Sequence, residues 1–372
     1  MDNKKHYEKL MRRCITLAKK GMGKVSPNPL VGCVICDDNF NIISEGYHKK
    51  YGENHAERNA ILNTKSDLKG LTLIVNLEPC SHYGKTPPCA DLIIEKGIKR
   101  VVVGMIDPNP IVSGNGIKKL EKAGIEVITG ILENECKELN KIFIKNQIKK
   151  LPYITIKTAT TLDGKIAGRK RSREWITNEQ SRLEVHKLRN AYDAILTSSK
   201  TVMIDNPQLT CRIKGGRNPV RVVLDTKLIT SPNSLIYNND GTKVYIITSE
   251  ITKQEKSSIY PDNVEIIACK TKDNHININE AIKKLYEKGI RSILVEAGGM
   301  LNKTFIEEKA ADDLIQFIGM KVLGDDKSIG WVYGSNNEYI SKCYKLKAHS
   351  TKLVKGDIII RGKFLYGMEP EE

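Results

Sequence analysis

Two short stretches, His55-Ala56-Glu57 and Pro79-Cys80-Ser81-His82-Tyr83-Gly84-Lys85-Thr86-Pro87-Pro88-Cys89, carry one imidazole and two thiols. The first opens a predicted helix, and the second joins a predicted strand to the start of the next helix. One imidazole and two thiolates suit a tetrahedral Zn²⁺ that keeps its fourth position open, which is typical of catalytic zinc sites. Helix N-termini also lower thiol pKa values, which favours the thiolate form of Cys89. We therefore predict that His55, Cys80 and Cys89 bind Zn²⁺.

Glu57 lies two residues after His55 and is not needed as a ligand. Its carboxylate can carry protons between an activated water and a leaving amine. His-x-Glu followed by Pro-Cys and a second Cys is typical of zinc-dependent deaminases that act on nucleobase rings. We predict that the first half of the chain is such an enzyme, with Glu57 as its catalytic residue. Two alternatives are a structural zinc knuckle, with His82 or Asp91 as fourth ligand, and thiols that only pack.

The composition indicates an intracellular globular protein. The chain has 372 residues, of which 40% are hydrophobic, enough for two domains with cores of their own. It contains no apolar run of about 18 residues and no apolar N-terminal signal region, so we expect neither a membrane segment nor a secretion signal. Its nine cysteines are scattered and do not form a secreted disulfide pattern. We expect a cytoplasmic protein.

The formal charge of +16 is spread evenly over the two halves. An even spread of lysine is typical of a solvated basic surface rather than of a dedicated nucleic-acid stripe. Aromatic residues, at 6%, are also few for base stacking. We therefore expect no nucleic-acid partner, while attraction for phosphorylated small molecules stays open. The alternative enzyme is a nucleic-acid deaminase whose second domain binds RNA.

Strands and helices alternate along the first half, which predicts an α/β sandwich around a mostly parallel sheet. Predicted helices cover 5–21, 55–62, 89–96 and 117–123, and predicted strands cover 30–36, 42–46, 71–77, 100–104 and 125–129. A lysine-rich stretch at 141–152 predicts a boundary, which divides the chain into domains 1–147 and 152–372. The pattern then starts afresh, with strands at 154–159, 194–197, 220–224, 244–248, 264–268 and 292–296 and helices at 178–190 and 280–288. We expect the part after Asp325 to complete the second sheet.

The second domain offers weaker signals of its own. No Gly-x-Gly-x-x-Gly follows a strand, so the usual dinucleotide motif is absent. A strand does run into Gly298-Gly299 and then a helix start, where bare backbone N–H groups can bind a phosphate. A plain tight turn is the alternative for these glycines. Trp175, taken alone, is expected in the core.

Longer motifs resemble one known family, the bifunctional deaminase–reductases of riboflavin biosynthesis. The matching stretches are Ser26 to Gly32, Gly46-Tyr47-His48, His55-Ala56-Glu57, Glu78 to Cys89, Ile156 to Ala167, Trp175-Ile176-Thr177, Leu188-Arg189, Ala194 to Val202, Asp205 to Arg212 and Val295 to Gly299. The resemblance implies a cytidine-deaminase-like three-layer sandwich followed by a dihydrofolate-reductase-like α/β domain. It implies zinc-dependent deamination of 2,5-diamino-6-(5-phosphoribosylamino)pyrimidin-4(3H)-one, and then reduction of the ribosyl group to ribityl with NADPH. A homo-oligomer is also expected.

The resemblance also implies roles for individual residues. In the deaminase, the substrate would contact Asn28, His48, His82, Lys85 and Thr86. In the reductase, NADPH would contact Ala159, Trp175, Thr201, Asp205, Gly298, Gly299, Met300, Leu301, Asn302, Lys303 and Thr304. The ribose-phosphate substrate would contact Lys157, Arg173, Arg189, Leu209, Arg212 and Glu296. The stretch before Trp175 is more charged than in the family, so the choice between Ser172 and Arg173 stays open.

Overall fold

The computed structural model describes residues 2–81, 87–109, 113–170, 174–252, 259–334 and 339–367. The chain divides into two units, Met1–Lys150 and Leu151–Glu372. Among the described residues, no helix is long and apolar enough to cross a membrane.

The first unit is built on one five-stranded sheet. Its strands are β1 (Gly32–Cys36), β2 (Ile42–Tyr47), β3 (Thr72–Leu77), β4 (Arg100–Met105) and β5 (Glu126–Thr129), and its helices are α1 (Asp2–Ala18), α2 (Ala56–Leu62), α3 (Cys89–Glu95), α4 (Asn115–Lys122), α5 (Glu133–Leu139) and α6 (Lys141–Lys149). The strand order is β2-β1-β3-β4-β5. β1 runs antiparallel to both β2 and β3, whereas β3, β4 and β5 are parallel. Four of the five strands therefore run in one direction, as expected for a mostly parallel sheet, and β1 alone opposes them.

Two glycines show how helices cover both faces of this sheet. Gly46 pairs with Cys33 and shares its face, so Gly32, one residue before Cys33, points to the other face. A Cβ at Gly32 would lie 2.1 Å from the Cys14 carbonyl oxygen of α1. A Cβ at Gly46 would lie 2.3 Å from the Ala60 nitrogen of α2. Helices α1 and α2 thus pack directly on opposite faces, which gives the three layers.

The lysine-rich stretch read as a boundary forms α6. Phe143 and Ile144 pack against the core of the first unit, whereas Lys149 of the same helix is exposed. Helix α5, immediately before, was not predicted at all, although Cys136 is fully buried. The end of the first unit is therefore a helical hairpin rather than a linker.

The second unit has a nine-stranded sheet in the order β11-β10-β9-β8-β14-β6-β15-β18-β17. Its strands are β6 (Tyr153–Thr161), β7 (Lys165–Ala167), β8 (Ala194–Ser198), β9 (Val220–Leu224), β10 (Val244–Ser249), β11 (Val264–Cys269), β12 (Thr271–Lys272), β13 (His275–Ile276), β14 (Ser292–Val295), β15 (Asp313–Gly319), β16 (Ile329–Gly330), β17 (Lys345–Val354) and β18 (Asp357–Leu365). Its helices are α7 (Glu179–Ala191), α8 (Ser199–Asp205), α9 (Ile278–Glu287) and α10 (Gly299–Glu307). In this sheet order, all neighbouring strands from β11 through β15 are parallel. β18 pairs antiparallel with β15, and β17 pairs antiparallel with β18 at the edge. The expectation that the part after Asp325 completes the sheet is confirmed.

Parallel strands place their carboxyl ends at one edge of the sheet, which is where loops form ligand sites in open α/β folds. In the second unit, β6, β8 and β14 end beside one another at that edge. Helix α7 is capped by Asn178, whose side chain accepts a hydrogen bond from the Ser181 N–H. The fold thus brings Ala159, Ser198 and Gly298 to one region.

Gly46→Ala is expected to lower the thermal midpoint of the first unit, because the new methyl group would meet the backbone of α2 rather than a movable side chain. Overpacking of this kind costs about 1–3 kcal/mol or more. Differential scanning calorimetry of both variants measures the effect, with Gly168→Ala as the control, since nothing lies within 4 Å of a Cβ there. Equal midpoints for the two variants would contradict the packing described for α2.

Candidate functional site: a three-ligand metal centre and an α/β cavity

The three predicted metal ligands lie together at the starts of two helices. His55 is the N-cap residue of α2, Cys89 is the first residue of α3, and Cys80 follows β3. The Nδ1 atom of His55 lies 3.5 Å from each of the two sulfur atoms. Zinc bonds of about 2.3 Å to sulfur and 2.0–2.1 Å to nitrogen, at a tetrahedral angle, require a separation of about 3.6 Å. The donor set and its spacing therefore fit a zinc ion.

Hydrogen bonding favours a thiolate in this cluster. The Cys89 thiol and the His55 ring hydrogen bond to the Cys80 sulfur and lower the pKa of Cys80, although burial opposes them. The Cys89 backbone N–H also points at that sulfur, at 3.3 Å. A metal ligand must be deprotonated, so these contacts prepare Cys80 for a cation.

Glu57 lies in the first turn of α2 and is only 3% exposed. Burial raises the pKa of its carboxyl group to about 7. A group with a pKa near neutrality can both take up and release a proton, which suits a proton shuttle. A cation at the neighbouring ligands would lower this pKa, because opposite charge favours the carboxylate.

A pocket of about 330 Å³ opens beside the metal ligands. Asn28 and His48 lie in its wall, with the Asn28 Nδ2 atom 3.1 Å from the His48 Nε2 atom. The other ring nitrogen of His48 lies 3.0 Å from the Asn54 carbonyl oxygen, which makes it the proton-bearing one. His48 is 2% exposed, so its side chain is buried in this wall. His82, Lys85 and Thr86 lie outside the described residues.

Sequence reasoning missed several members of this wall. They are Pro29, Val31, Tyr51, Gly52, Glu53, Leu77, Glu78, Asp107, Asn109, Phe143 and Gln147. The Glu78 carboxylate accepts backbone N–H bonds from Asp107, Gly114 and Gly116 at 2.9–3.1 Å. A buried acid directly before Pro79-Cys80 was a usable signal, whereas nothing local marked Phe143 or Gln147.

The second unit has a larger cavity of about 600 Å³ at the carboxyl edge of its sheet. Twelve of the residues assigned to its cofactor or substrate line it together: Lys157, Ala159, Arg189, Thr201, Asp205, Leu209, Glu296, Gly298, Gly299, Met300, Leu301 and Thr304. Gly298 is the N-cap of α10, so free backbone N–H groups of that helix start face this region. Such a helix start suits the phosphates of a dinucleotide.

A buried ion cluster occupies one end of this cavity. Arg189 donates two hydrogen bonds to the Glu296 carboxylate, at 2.9 and 3.0 Å, and the Lys157 ammonium lies 3.3 Å from it. Burial opposes the charge on Glu296, but Arg189 and Lys157 outweigh it and hold the pKa of the carboxyl at about 2. The three side chains are at most 14% exposed. Two cations beside one anion leave a net positive charge.

Four other assigned residues do not line the cavity. Trp175 is 61% exposed, with the Arg182 guanidinium 4.5 Å from its ring centre, so its expected place in the core is wrong. Asn302 is buried and donates to the Trp331 carbonyl, and Lys303 pairs with Glu307. Arg212 is exposed and donates to the Gln208 side chain. Arg173 lies outside the described residues. Ser198, Lys200 and Tyr333 line the cavity but were not predicted.

Two family models match the chain, one to each unit. The cytidine and deoxycytidylate deaminase zinc-binding region matches residues 4–105, and the RibD C-terminal domain matches residues 152–360. The riboflavin biosynthesis protein RibD of Actinobacillus pleuropneumoniae is 41% identical over 351 residues, covering 94% of this chain and 93% of its own. That of Escherichia coli (strain K12) is 39% identical over 332 residues, covering 86% and 89%.

Solved structures agree over the whole chain. The Thermotoga maritima diaminohydroxyphosphoribosylaminopyrimidine deaminase/5-amino-6-(5-phosphoribosylamino)uracil reductase is 41% identical, with a TM-score of 0.87 over 98% of this chain and 100% of its own. Acinetobacter baumannii RibD is 32% identical, with a TM-score of 0.87 over 97% and 99%. The expected fold, a cytidine-deaminase-like unit followed by a dihydrofolate-reductase-like one, is confirmed. The chain therefore belongs to the RibD family and is a bifunctional enzyme of riboflavin biosynthesis, a zinc-dependent deaminase joined to an NADPH-dependent reductase.

Proposed function

We propose that residues 1–147 deaminate 2,5-diamino-6-(5-phosphoribosylamino)pyrimidin-4(3H)-one and that residues 152–372 reduce the product. The observation that carries the first half is the meeting of His55, Cys80 and Cys89 with Glu57 beside one pocket of about 330 Å³. In this proposal the three ligands hold Zn²⁺, and Asn28 and His48 contact the pyrimidine. His82, Lys85 and Thr86 belong to the same substrate site by resemblance alone.

When bound, the zinc ion activates a water molecule as the nucleophile for the ring carbon that bears the amine. Glu57 takes one proton from the water and gives it to the departing amino group, which leaves as ammonia. The second water proton passes to a ring nitrogen, so that the ring carbon becomes a carbonyl. Its burial supports this role, because a carboxyl with a raised pKa holds the transferred proton between the two steps. Neutral His48, whose ring nitrogens meet the Asn54 carbonyl and the Asn28 amide, orients Asn28 in the pocket without adding a charge.

In the second unit, we assign the cavity of about 600 Å³ to NADPH and the ribose phosphate. The helix start at Gly298 and Gly299 would bind cofactor phosphates, and Ala159, Thr201 and Asp205 would contact the nicotinamide half. The positive cluster of Lys157, Arg189 and Glu296 would bind the substrate. NADPH supplies the hydride, so the protein mainly has to align cofactor and ribosyl carbon. Leu209 completes this wall, and roles for Trp175, Asn302, Lys303, Arg212 and Arg173 rest on resemblance.

Three wider properties are also proposed. The deaminase pocket, at about 330 Å³, favours a small substrate over the alternative, RNA. Activity on a structured RNA, with none on the free pyrimidine, would restore that alternative. The exposed edge strand β17 supports a homo-oligomer, which sedimentation equilibrium would measure. The nine cysteines are all free, which supports a reducing, cytoplasmic location.

Glu57→Gln is expected to lower the deaminase rate by at least about 10²-fold, because the amide cannot carry the proton. Ammonia release measures the first activity, and NADPH absorbance with the deaminated intermediate supplied measures the second. The reductase rate and the zinc content should remain those of wild type. Unchanged ammonia release would rule out the proton shuttle, whereas no ammonia release from the wild type would favour a structural, non-catalytic zinc site.

Removal of zinc by a chelator is expected to abolish ammonia release, because the activated water is lost. Reduction of supplied intermediate should continue, since the cavity of the second unit contains none of the three metal ligands. Re-addition of one equivalent of Zn²⁺ should restore deamination. Loss of both activities together would contradict the assignment of zinc to the deaminase alone.

Gly298→Ala is expected to weaken NADPH binding several-fold without lowering the thermal midpoint. A Cβ at Gly298 would meet nothing within 4 Å, so it would intrude only on a phosphate at the helix start. The neighbouring Gly299→Ala is the contrast, because its Cβ would lie 2.5 Å from the Gly330 carbonyl oxygen and should destabilise the unit. NADPH titration by intrinsic fluorescence measures the affinity. Unaltered affinity in Gly298→Ala would remove this helix from the cofactor site.

A further inference from the structure

Two buried asparagines hold one short backbone segment of the deaminase unit. The Asn140 side chain accepts from the Leu30 N–H at 2.8 Å and donates to the Leu30 carbonyl at 3.0 Å. The Asn76 side chain donates to the same carbonyl at 3.0 Å and accepts from the Gly32 N–H at 2.8 Å. Both side chains are at most 2% exposed. Four hydrogen bonds therefore fix Leu30 to Gly32 from two separate elements.

Neither asparagine has the local role that its position suggests. Asn140 is the N-cap residue of α6, yet its side chain makes no capping bond and instead reaches a residue 110 positions earlier. Asn76 lies inside β3, although asparagine is depleted in strands. Each amide could have been replaced by an ordinary cap or an apolar strand residue. The hydrogen bonds of both amides to Leu30 therefore need another explanation.

The segment held in this way forms part of the deaminase pocket. Asn28, Pro29 and Val31 all line the pocket, directly around Leu30. The Val31 carbonyl oxygen accepts a hydrogen bond from the His48 backbone N–H at 2.9 Å, and the Asn28 side chain contacts the His48 ring. His48 in turn packs edge-on against His55, with ring centres 5.5 Å apart. A shift at Leu30 would therefore displace both pocket side chains that are assigned to the substrate.

We propose that Asn140 and Asn76 are positioning residues of the deaminase, which fix Leu30 so that Asn28 and His48 face the substrate. This inference rests on the proposed role of Asn28 in the pocket. Neither asparagine lines the pocket itself, so their effect on the reaction passes through the segment 28–32. Asn140 comes from the helical hairpin α5–α6, which gives that hairpin a part in substrate binding.

The test compares Asn140→Leu, which removes both hydrogen bonds at similar volume, with Asn28→Ala and the double variant. Ammonia release gives KM and kcat for the free pyrimidine substrate, and zinc content and the reductase rate are measured on the same samples. Asn140→Leu is expected to raise KM about tenfold with full zinc content and an unchanged reductase rate. In the double variant, the KM effects of the two changes should be less than multiplicative, because both changes act in part on the Asn28 contact.

Asn63→Ala is the matched control, since its side chain also donates to a backbone carbonyl of this unit, that of Glu45, away from the pocket. Its KM should equal that of wild type. If Asn140→Leu fails to fold, Asn140→Asp, which keeps the acceptor for the Leu30 N–H, should give a smaller rise in KM.

Three results would overturn the inference. A loss of kcat in proportion to lost zinc, at constant KM, would mean that Asn140 only stabilises the fold. A double variant whose KM effects multiply would mean that Asn140 does not act through Asn28. A wild-type KM in Asn28→Ala, with wild-type turnover, would refute the role of Asn28 and this inference with it. Loss of all ammonia release from the wild type would instead refute the proposed deaminase function.

Discussion

The first unit depends on two helices that begin at the same point. The N-terminus of α2 places His55, and that of α3 places Cys89, so the two helix starts meet beside Cys80, which follows β3. Hydrogen bonds from Cys89 and His55 lower the pKa of Cys80 and favour its thiolate, whereas the hydrogen bond to Cys80 and burial raise the pKa of Cys89, contrary to the expectation from its helix start. Close packing at Gly46 fixes the distance between α2 and the sheet. The Glu78 carboxylate, just before Pro79-Cys80, accepts a hydrogen bond from the Gly116 backbone N–H and so holds the neighbouring loop. The positions of the metal ligands are thus a consequence of how α2 and α3 pack on the sheet.

The second unit depends instead on charges buried in its cavity. Its cavity holds a buried carboxylate between two cations, which is stable only while all three side chains keep their partners. The helix start at Gly298 supplies further partial positive charge without any side chain. A phosphorylated substrate and a dinucleotide both carry negative charge, so the two features divide one positively charged cavity between two ligands.

Periodicity and spacing predicted much of this molecule, and the reasons for the failures are physical. All five strands of the first sheet and six of the nine in the second were predicted, because their apolar runs are short and bounded by turn residues. The order in which the strands pair was not predicted, since pairing is decided by contacts remote in the sequence. Helix α6 was missed because its three lysines were taken for a boundary segment, although four of its nine residues, Phe143 and Ile144 among them, are apolar. The zinc ligands and Glu57 were found together because local motifs carry them, whereas the buried state of His48 and the exposure of Trp175 depend on tertiary packing.

The recognisable zinc-binding region ends at residue 105, but the physical unit continues to Lys150. The later part contributes α6, whose Phe143 and Gln147 complete the pocket wall, and the Asn140 amide that reaches back to Leu30. If a deaminase module were exchanged between proteins with a cut at residue 105, the metal ligands would be separated from one wall of their own pocket. Recombination can therefore preserve this activity only with a cut after α6, so that helices α5 and α6 stay with the deaminase unit.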